Sequence, residues 1–215
     1  MPVEVKICGI NTPAACAAAV GAGADYIGLI FYPPSPRAVT PEQAGEIAAD
    51  VPERVVKVGL LVDADDATIR QIVARAPLGL LQLHGAESPR RVAAIRARFG
   101  IPVMKAIKVA GQDDVAAAQA YCRVADRLLF DAKPPEDMKG ALPGGNALAF
   151  DWRLLGGRSW PIPWMLSGGL DAGNVAEAVR TARARAVDVS SGVEDRPGLK
   201  NPDKIRTFLA AAKAL

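Results

Sequence analysis

Two residues at the ends of apolar runs have side chains that can move protons. Cys8 ends the run VEVKIC, directly before Gly9, and Asp131 ends the run RLLFD. A thiol is only a few per cent thiolate near neutral pH, but it acts as a base or nucleophile where its site lowers the pKa. Plainer interpretations exist for both, since free cysteines are commonly buried and Asp131 can start a turn or pair with Lys133. The two residues predict acid–base chemistry if the fold brings the run ends to one site.

Two glycine-containing loops in the C-terminal part of the chain are candidates for binding phosphate. One is SGGL, residues 167–170, and the other is SSGVE, residues 190–194. Glycine lets a ligand approach the backbone closely, and backbone N–H groups are common phosphate donors. The alternative is that these glycines only form tight turns. The candidate phosphate-binding residues are Gly168, Gly169, Ser191 and Gly192.

Arg37 and His84 are candidates for contacting a substrate. Arg37 lies in YPPSPRAV and has the guanidinium geometry that holds a carboxylate, although a loop arginine is often only solvated. His84 is the only histidine of the chain, and it either donates to a substrate or makes a hydrogen bond in the core. It has no His or Cys neighbour at ligand spacing, so we expect neither zinc nor another metal.

The elements that must position these residues alternate between strand-like and helix-like runs. Eight such units predict an α/β fold, a single-domain (β/α)8 TIM barrel of parallel strands over residues 1–215. Thr12, Thr40 and Ser88 each precede a proline and are expected to cap helices. A doubly wound open sheet is the alternative, but its dinucleotide-binding form carries G-x-G-x-x-G where this chain has CGINTP. The Gly- and Pro-rich segment over 133–160 breaks the alternation, and we expect at most a short helix there.

Alternation along the strands predicts a polar barrel interior. In VEVKIC, Lys6 and Cys8 share one face and apolar residues share the other. We expect the apolar face to meet the helices, which places Cys8 and His84 at the C-terminal mouth, where barrel active sites lie. Buried polar groups need partners, so we expect Lys6, Gln82 and Asp188 to satisfy one another inside the barrel.

The composition narrows the classes of partner. Lys and Arg number 26 against 23 Asp and Glu, a formal net charge of +3, and the positive charges are dispersed. We therefore expect no nucleic acid partner and a small anionic substrate. Three cysteines without a CxxC pair predict a reducing, cytoplasmic location and no disulfide framework. Neither a leader-like start nor a run of about 20 apolar residues occurs, so we expect no signal peptide and no membrane contact.

Together, these stretches resemble the phosphoribosylanthranilate isomerase family of tryptophan biosynthesis. The similar stretches run in order through nearly the whole chain: KICGI, DYIGLIFYPPSPRAV, VGLLVD, LQLHG, LLFDAK, FDW, LSGGL, and DVSSGVE followed by PGLKNPDKI. The resemblance implies an Amadori rearrangement that converts N-(5-phosphoribosyl)anthranilate into 1-(2-carboxyphenylamino)-1-deoxyribulose 5-phosphate. It implies a phosphorylated small-molecule substrate and no metal or organic cofactor, and we expect a monomer or a homodimer.

The resemblance also implies roles for individual residues. Cys8 matches the family's general base, Asp131 its general acid, and Arg37 the arginine assigned to the anthranilate moiety. In the implied mechanism, Asp131 protonates the ring oxygen, which opens the ring to a protonated Schiff base. Cys8 then removes the C2 proton, and the resulting enolamine tautomerises to the ketone. The resemblance implies a phosphate cradle at Gly168, Gly169, Ser191 and Gly192. It implies further substrate contacts at His84 and Asp188.

One stretch departs from the family's pattern. The family has a GGTG-like stretch before FDW, where this chain reads GGNALAFDW. Asn146 takes the threonine position and Ala147 the glycine position, which affects any contact that this loop makes. The segment over 133–145 and the YPPSPR loop are the candidates for closing over a substrate.

Two rival functions remain open at this stage. The first is the sister aminoaldose–ketose isomerase of histidine biosynthesis, which resembles a duplicated half-barrel with aspartate at the strand-1 position. This chain has Cys8 there and no convincing internal repeat. The second is a non-catalytic phosphate-binding barrel, against which the presence of both Cys8 and Asp131 argues.

Overall fold

Eight parallel strands close into a barrel in the computed structural model, which describes residues 2–135, 137–138 and 142–215. Each strand pairs with the next along the chain, and the last pairs with the first. The strands are β1 (Glu4–Cys8), β2 (Tyr26–Ile30), β3 (Val56–Leu61), β4 (Leu80–Leu83), β5 (Val103–Val109), β6 (Arg127–Ala132), β7 (Trp164–Leu166) and β8 (Ala186–Val189). The predicted (β/α)8 barrel is confirmed, and the open doubly wound sheet is excluded.

Seven α-helices surround the described part of the barrel. They are α1 (Pro13–Gly21), α2 (Pro41–Ala48), α3 (Asp66–Val73), α4 (Pro89–Phe99), α5 (Gln112–Ala117), α6 (Val175–Ala182) and α7 (Pro202–Lys213). The predicted caps are confirmed, because the side chains of Thr12, Thr40 and Ser88 each accept a backbone N–H from the first turn of their helix. These caps satisfy donors that a helix start leaves open, and they fix where each helix leaves its strand.

The link between β6 and β7 agrees with the sequence-based expectation of at most a short helix, and two other elements differ from the expectation. Among the described residues, the link between β6 and β7 has only a 3₁₀ turn, Trp152–Leu154, so the sixth strand–helix unit lacks its α-helix. The run DDVAAAQAYCRV, residues 113–124, is helix-like in sequence, but α5 ends at Ala117 and the chain continues as a 3₁₀ helix from Ala118 to Tyr121. After β8 the chain forms a short hairpin of β9 (Glu194–Arg196) and β10 (Leu199–Lys200), which was not predicted. Its strands of three and two residues are too short for a readable alternation.

The barrel interior has an apolar layer and a polar layer. Val58, Met104, Leu129 and Met165 are fully buried and fill the half nearer the amino ends of the strands. Lys6 and other polar side chains occupy the half nearer the carboxyl ends. The expected polar interior is therefore correct for one half only. Within the described residues, every helix is too short or too polar to cross a bilayer.

Candidate active site

Cys8 and Asp131 line one cavity at the carboxyl ends of the strands. Cys8 is the last residue of β1 and Asp131 the second-last residue of β6, and they are only 3% and 5% exposed. Two strands separate β1 from β6 around the barrel, so the side chains approach the cavity from nearly opposite sides. The empty space within the lining of the cavity is about 700 Å³, which includes open solvent at the mouth.

Asp131 faces His84 across the mouth. His84 Nε2 lies 3.2 Å from Asp131 Oδ2, and the Gln82 amide nitrogen donates to His84 Nδ1 at 2.8 Å. With Nδ1 accepting from the Gln82 amide, Nε2 carries a ring proton and donates it to Asp131 Oδ2. The alternative pairing of Asp131 with Lys133 is wrong, because the Lys133 ammonium lies 3.9 Å from Asp114. His84 thus makes a buried hydrogen bond and also lines the cavity.

A buried ion pair lies directly beneath Cys8. Lys6 Nζ donates to Asp188 Oδ1 at 2.8 Å, and Ser167 Oγ donates to Asp188 Oδ2 at 3.0 Å. The expected pairing of Lys6 with Asp188 is confirmed. Gln82 does not join them, because β4 is three strands away from β1 around the barrel. Ser167, which takes that place, was not a predicted site residue.

The charges around Cys8 act in opposite directions on its thiol. Burial raises the pKa of Cys8 above its ordinary value, and the Asp188 carboxylate adds to that rise. The Lys6 and Lys200 ammonium groups lower the pKa of Cys8 and offset part of the rise. The thiol can therefore act as a base only because the neighbouring ammonium groups favour its thiolate form.

Arg37 is buried at the mouth, where it already holds a carboxylate of this chain. Its Nε and Nη2 atoms donate to the two carboxylate oxygens of Glu194 at 2.8 Å each, and Lys200 Nζ donates to the same carboxylate at 2.7 Å. The alternative of a solvated arginine is wrong, because Arg37 is only 3% exposed. Two cations share one carboxylate, so the three side chains carry a net charge of +1 when all are ionised. Such a charge favours an anionic ligand in the cavity.

Neither Glu194 nor Lys200 was predicted as a site residue. The antiparallel pairing of β9 with β10 places Lys200 opposite Glu194. Nothing in the local sequence marks this pairing, because β10 is two residues long. The sequence stretches that contain both residues carry the resemblance to the family, and they were the only signal available.

Acid is expected to weaken this cluster through Glu194. Burial raises the pKa of Glu194, but Arg37 and Lys200 lower it by more, so the folded-state pKa lies below the ordinary 4.5. The unfolded chain binds more protons between the two values, so the stabilisation is present above pH 4.5 and is lost as pH falls through the folded-state pKa. Glu194→Gln should remove this pH dependence and, because two buried cations lose their counter-charge, lower the free energy of unfolding at neutral pH by roughly 3 kcal/mol. Urea unfolding at neutral and acidic pH measures both effects.

The matched control for that measurement is Glu46→Gln. Glu46 lies on the exposed side of α2, so its replacement should leave the stability and its pH dependence close to those of the parent chain. Equal pH dependence in Glu194→Gln and the parent chain contradicts the assignment.

The loops after β7 and β8 meet at the same cavity. Gly168, Gly169 and Ser191 line it, and the two glycines have φ of 89° and 64°, a region that favours glycine. Gly192 lies behind this surface, because a side chain there would collide with the Leu170 carbonyl oxygen. Three of the four candidate phosphate residues thus face the cavity, and Gly192 lets the two loops pack against each other.

The loop before β7 covers the cavity. Asn146 closes this loop, since its Oδ1 accepts the Leu142 N–H at 3.0 Å and its Nδ2 donates to the Leu142 carbonyl at 2.7 Å. Within the loop, a Cβ on Gly144 would lie 2.8 Å from both Asp131 Oδ2 and His84 Nε2. Only bare backbone fits over these two groups. The side chain that departs from the family's pattern thus supplies the contacts that close the loop.

The neighbouring departure has a conformational consequence. Ala147 has φ of 56°, a left-handed conformation that is strained for a residue with a Cβ. Positions 136 and 139–141 of the segment expected to close over a substrate lie outside the described residues.

Eight parallel strands that present a thiol, a carboxyl group and two glycine loops at their carboxyl ends place this chain among the (β/α)8-barrel enzymes. A profile of the N-(5'phosphoribosyl)anthranilate (PRA) isomerase family matches residues 5–211, and the chain belongs to this family.

Individual relatives and solved structures agree with that membership. The N-(5'-phosphoribosyl)anthranilate isomerases of Paramagnetospirillum magneticum and Rhodospirillum centenum are 60% and 61% identical to this chain. The alignments cover 99% and 100% of this chain and 98% and 100% of those proteins. The crystal structure of phosphoribosyl anthranilate isomerase from Thermotoga maritima superposes with a TM-score of 0.88 at 38% identity, covering 99% of this chain and 100% of that one. A structure of such an isomerase in complex with reduced 1-(o-carboxyphenylamino)-1-deoxyribulose 5-phosphate has a TM-score of 0.85 at 36% identity, with the same coverage.

Proposed function

We propose that this chain catalyses the Amadori rearrangement of N-(5'-phosphoribosyl)anthranilate to 1-(2-carboxyphenylamino)-1-deoxyribulose 5-phosphate in tryptophan biosynthesis. The observation that carries the proposal is that Cys8 and Asp131 line one cavity together with the glycine loops after β7 and β8. Relatives with the isomerase name, and a structural neighbour that holds the reduced product, support the same substrate.

Asp131 acts as the general acid of the first step. It gives its proton to the ring oxygen of the ribose, the bond between C1 and that oxygen breaks, and the anilino nitrogen becomes a protonated Schiff base. Burial at 5% exposure keeps bulk water away from the carboxyl group, and His84 Nε2 holds one carboxylate oxygen in place. His84 is therefore a positioning residue for the acid.

Cys8 acts as the general base of the second step. Its thiolate takes the proton from C2, and the electron pair of that bond moves to the C1–N iminium, which becomes the enolamine. The iminium acidifies the C2 proton, so a weak base suffices. Each of these proton transfers contributes roughly 10²–10⁴-fold to the rate.

The substrate's two anionic groups bind at opposite sides of the cavity. The phosphate meets the backbone of Gly168, Gly169 and Ser191. The anthranilate carboxylate meets Arg37, whose Nε and Nη2 atoms serve Glu194 and whose Nη1 atom is left for the substrate among the described contacts. Asp188, which also lines the cavity, is the remaining proposed substrate contact.

The test of the function is turnover of the fluorescent substrate, generated in situ from anthranilate and phosphoribosyl pyrophosphate by the corresponding transferase. We expect fluorescence to fall on addition of the purified protein, and the ketose phosphate to form in equal amount. Unchanged fluorescence with a folded protein overturns the proposal.

Replacing Arg37 by alanine is expected to weaken substrate binding more than it slows the chemistry. A charge-assisted hydrogen-bonded contact contributes about 1.5–3 kcal/mol, so KM should rise roughly 10- to 150-fold with a smaller change in kcat. Arg37→Lys keeps the charge but loses the forked geometry, and it should lie between the parent and alanine variants. Unchanged KM and kcat/KM in Arg37→Ala rule out the proposed contact.

We propose a cytoplasmic enzyme without a cofactor that is a monomer or a homodimer and has no nucleic acid or membrane partner. Sedimentation of the purified protein over a range of concentrations separates the two oligomeric states.

A further inference from the structure

The buried ammonium group of Lys6 has no role in the proton transfers described above. Lys6 is fully buried on β1, two residues before Cys8 on the same face of the strand, and so it cannot touch a substrate. A buried ammonium is retained only where it is paired, and Asp188 supplies that partner at 2.8 Å. The side chains of Lys6 and Cys8 both point into the barrel, which brings the ammonium beneath the thiol.

A glycine on the neighbouring strand leaves room for the two side chains to meet. β1 pairs with β2 in a register that places Cys8 beside Gly28. A Cβ on Gly28 would lie 2.9 Å from Cys8 Sγ and 3.1 Å from Lys6 Nζ. Sulfur and nitrogen therefore border the same small volume, which a side chain at position 28 would fill.

We propose that Lys6 is a positioning residue for the reaction, whose buried ammonium stabilises the thiolate of Cys8 and thereby maintains the base form of that residue. The proposal rests on the proposed function of Cys8. It assigns Lys6 no contact with the substrate and no proton transfer of its own.

The other charged groups around the thiol do not provide the same effect. On β8, Asp188 opposes the thiolate, but it is tied to Lys6 and Ser167. On β10, Lys200 favours the thiolate, but its ammonium is shared among Glu194 and the carbonyl and hydroxyl oxygens of Ser190.

The groups on the remaining elements are also committed elsewhere. Arg37 is bound to Glu194, and Asp131 and His84 face each other on the far side of the cavity. Of the two ammonium groups, Lys6 lowers the pKa of Cys8 by more than Lys200 does. Burial lowers the pKa of Lys6, but Asp188 and Cys8 raise it by more, so Lys6 remains charged throughout the working range.

The experiment titrates the thiol directly, without a substrate. In a Cys16→Ala/Cys122→Ala background, Cys8 is the only cysteine, and thiolate absorbance near 240 nm against pH reports its pKa. We expect Lys6→Met to raise the pKa by at least about one unit, a tenfold loss of thiolate at neutral pH. We expect Asp188→Asn to shift the pKa in the opposite direction, because the thiol loses a neighbouring negative charge and Lys6 loses its counter-charge.

Lys105→Met is the matched control. Lys105 is 2% exposed on β5 and paired with Glu87 at 2.9 Å, so its loss removes a similar buried ion pair on another strand. We expect destabilisation of the same order and no shift of the Cys8 titration. A shift in this control equal to that in Lys6→Met overturns the proposal, because the effect is then structural.

The pH dependence of kcat adds a second measurement, which would not change if Lys6 had only a structural role. If Lys6 acts through the thiolate, kcat of Lys6→Met should fall about tenfold at neutral pH and recover as the pH is raised, with little change in KM. Should Lys6→Met not fold, the same titration of Lys6→Gln, which removes the charge but keeps a donor for Asp188, decides, and an unchanged pKa of Cys8 there overturns the proposal. The titration separates the role of Lys6 from the proposed isomerase function. If the Cys8 pKa shifts as expected but the parent protein does not turn over the substrate, the role of Lys6 is supported and the proposed function is rejected.

Discussion

Cys8→Ala is expected to lower kcat by roughly 10²–10⁴-fold while the barrel still folds. The reason is chemical, because no side chain then accepts the proton that leaves C2 of the substrate. The side chain is small and borders the cavity, so its removal leaves the packing between strands and helices in place. The turnover assay with the substrate generated in situ measures the loss, and circular dichroism confirms that the variant is folded.

Cys16→Ala is the control for this prediction. Cys16 is a buried thiol on α1, and its Sγ faces the Ile47 carbonyl at 3.6 Å. Its replacement removes the same chemical group from the outer core, and kcat should remain within a few-fold of the parent value. Near-normal turnover in Cys8→Ala, or equal losses in both variants, contradicts the role of Cys8.

Asp131→Asn is expected to cause the second large loss, again roughly 10²–10⁴-fold in kcat. The amide keeps the size of the side chain but has no acidic proton to give to the ring oxygen. His84 Nε2 can still donate to the amide oxygen, so the geometry of the mouth should persist. KM should change little, because the lost interaction belongs to the transition state.

Asp126→Asn is the control at the opposite end of the same strand. Asp126 precedes β6, where it accepts the Val103 N–H at 2.9 Å and pairs with Arg96. We expect a modest loss of stability and unchanged kcat in this variant. If Asp131→Asn turns over at the parent rate, another group must protonate the ring oxygen.

The barrel was predictable because its signals are local. Strand alternation separated the face of Lys6 and Cys8 from the apolar face, and Thr-Pro and Ser-Pro pairs marked where helices begin. Each signal lies within a few residues of the element that it specifies. The glycine and proline residues between β6 and β7 likewise predicted that this link has at most a short helix.

The partners within the site were harder to predict because they are far apart in sequence. Arg37 and Glu194 are 157 positions apart, and only the closed barrel and the β9–β10 hairpin bring them together. Asp131 and His84 are likewise 47 positions apart and meet only because the barrel brings β6 and the end of β4 to one mouth. The residue types at the strand ends predicted which side chains reach the cavity. Which of these side chains form hydrogen bonds with one another depends on how the strands close into the barrel.

The closing of the loop by Asn146 illustrates the same limit. The departure from the family's pattern was visible in the sequence, but its effect was not. The reciprocal hydrogen bonds with Leu142 show that Asn146 closes the loop in this chain. The bare backbone of Gly144 over Asp131 follows from that closure.

The most direct test of the central claim, that Asp131 opens the ring and Cys8 removes the C2 proton, is an isotope effect measured in single turnovers. The substrate is prepared with hydrogen or deuterium at C2 and mixed with excess Cys8→Ser or Asp131→Asn protein. Cys8→Ser should react more slowly with the deuterated substrate, because proton removal by a weaker base limits its rate. Asp131→Asn should react equally fast with both, because ring opening limits its rate. An isotope effect in Asp131→Asn and none in Cys8→Ser would contradict the assignment of the two roles.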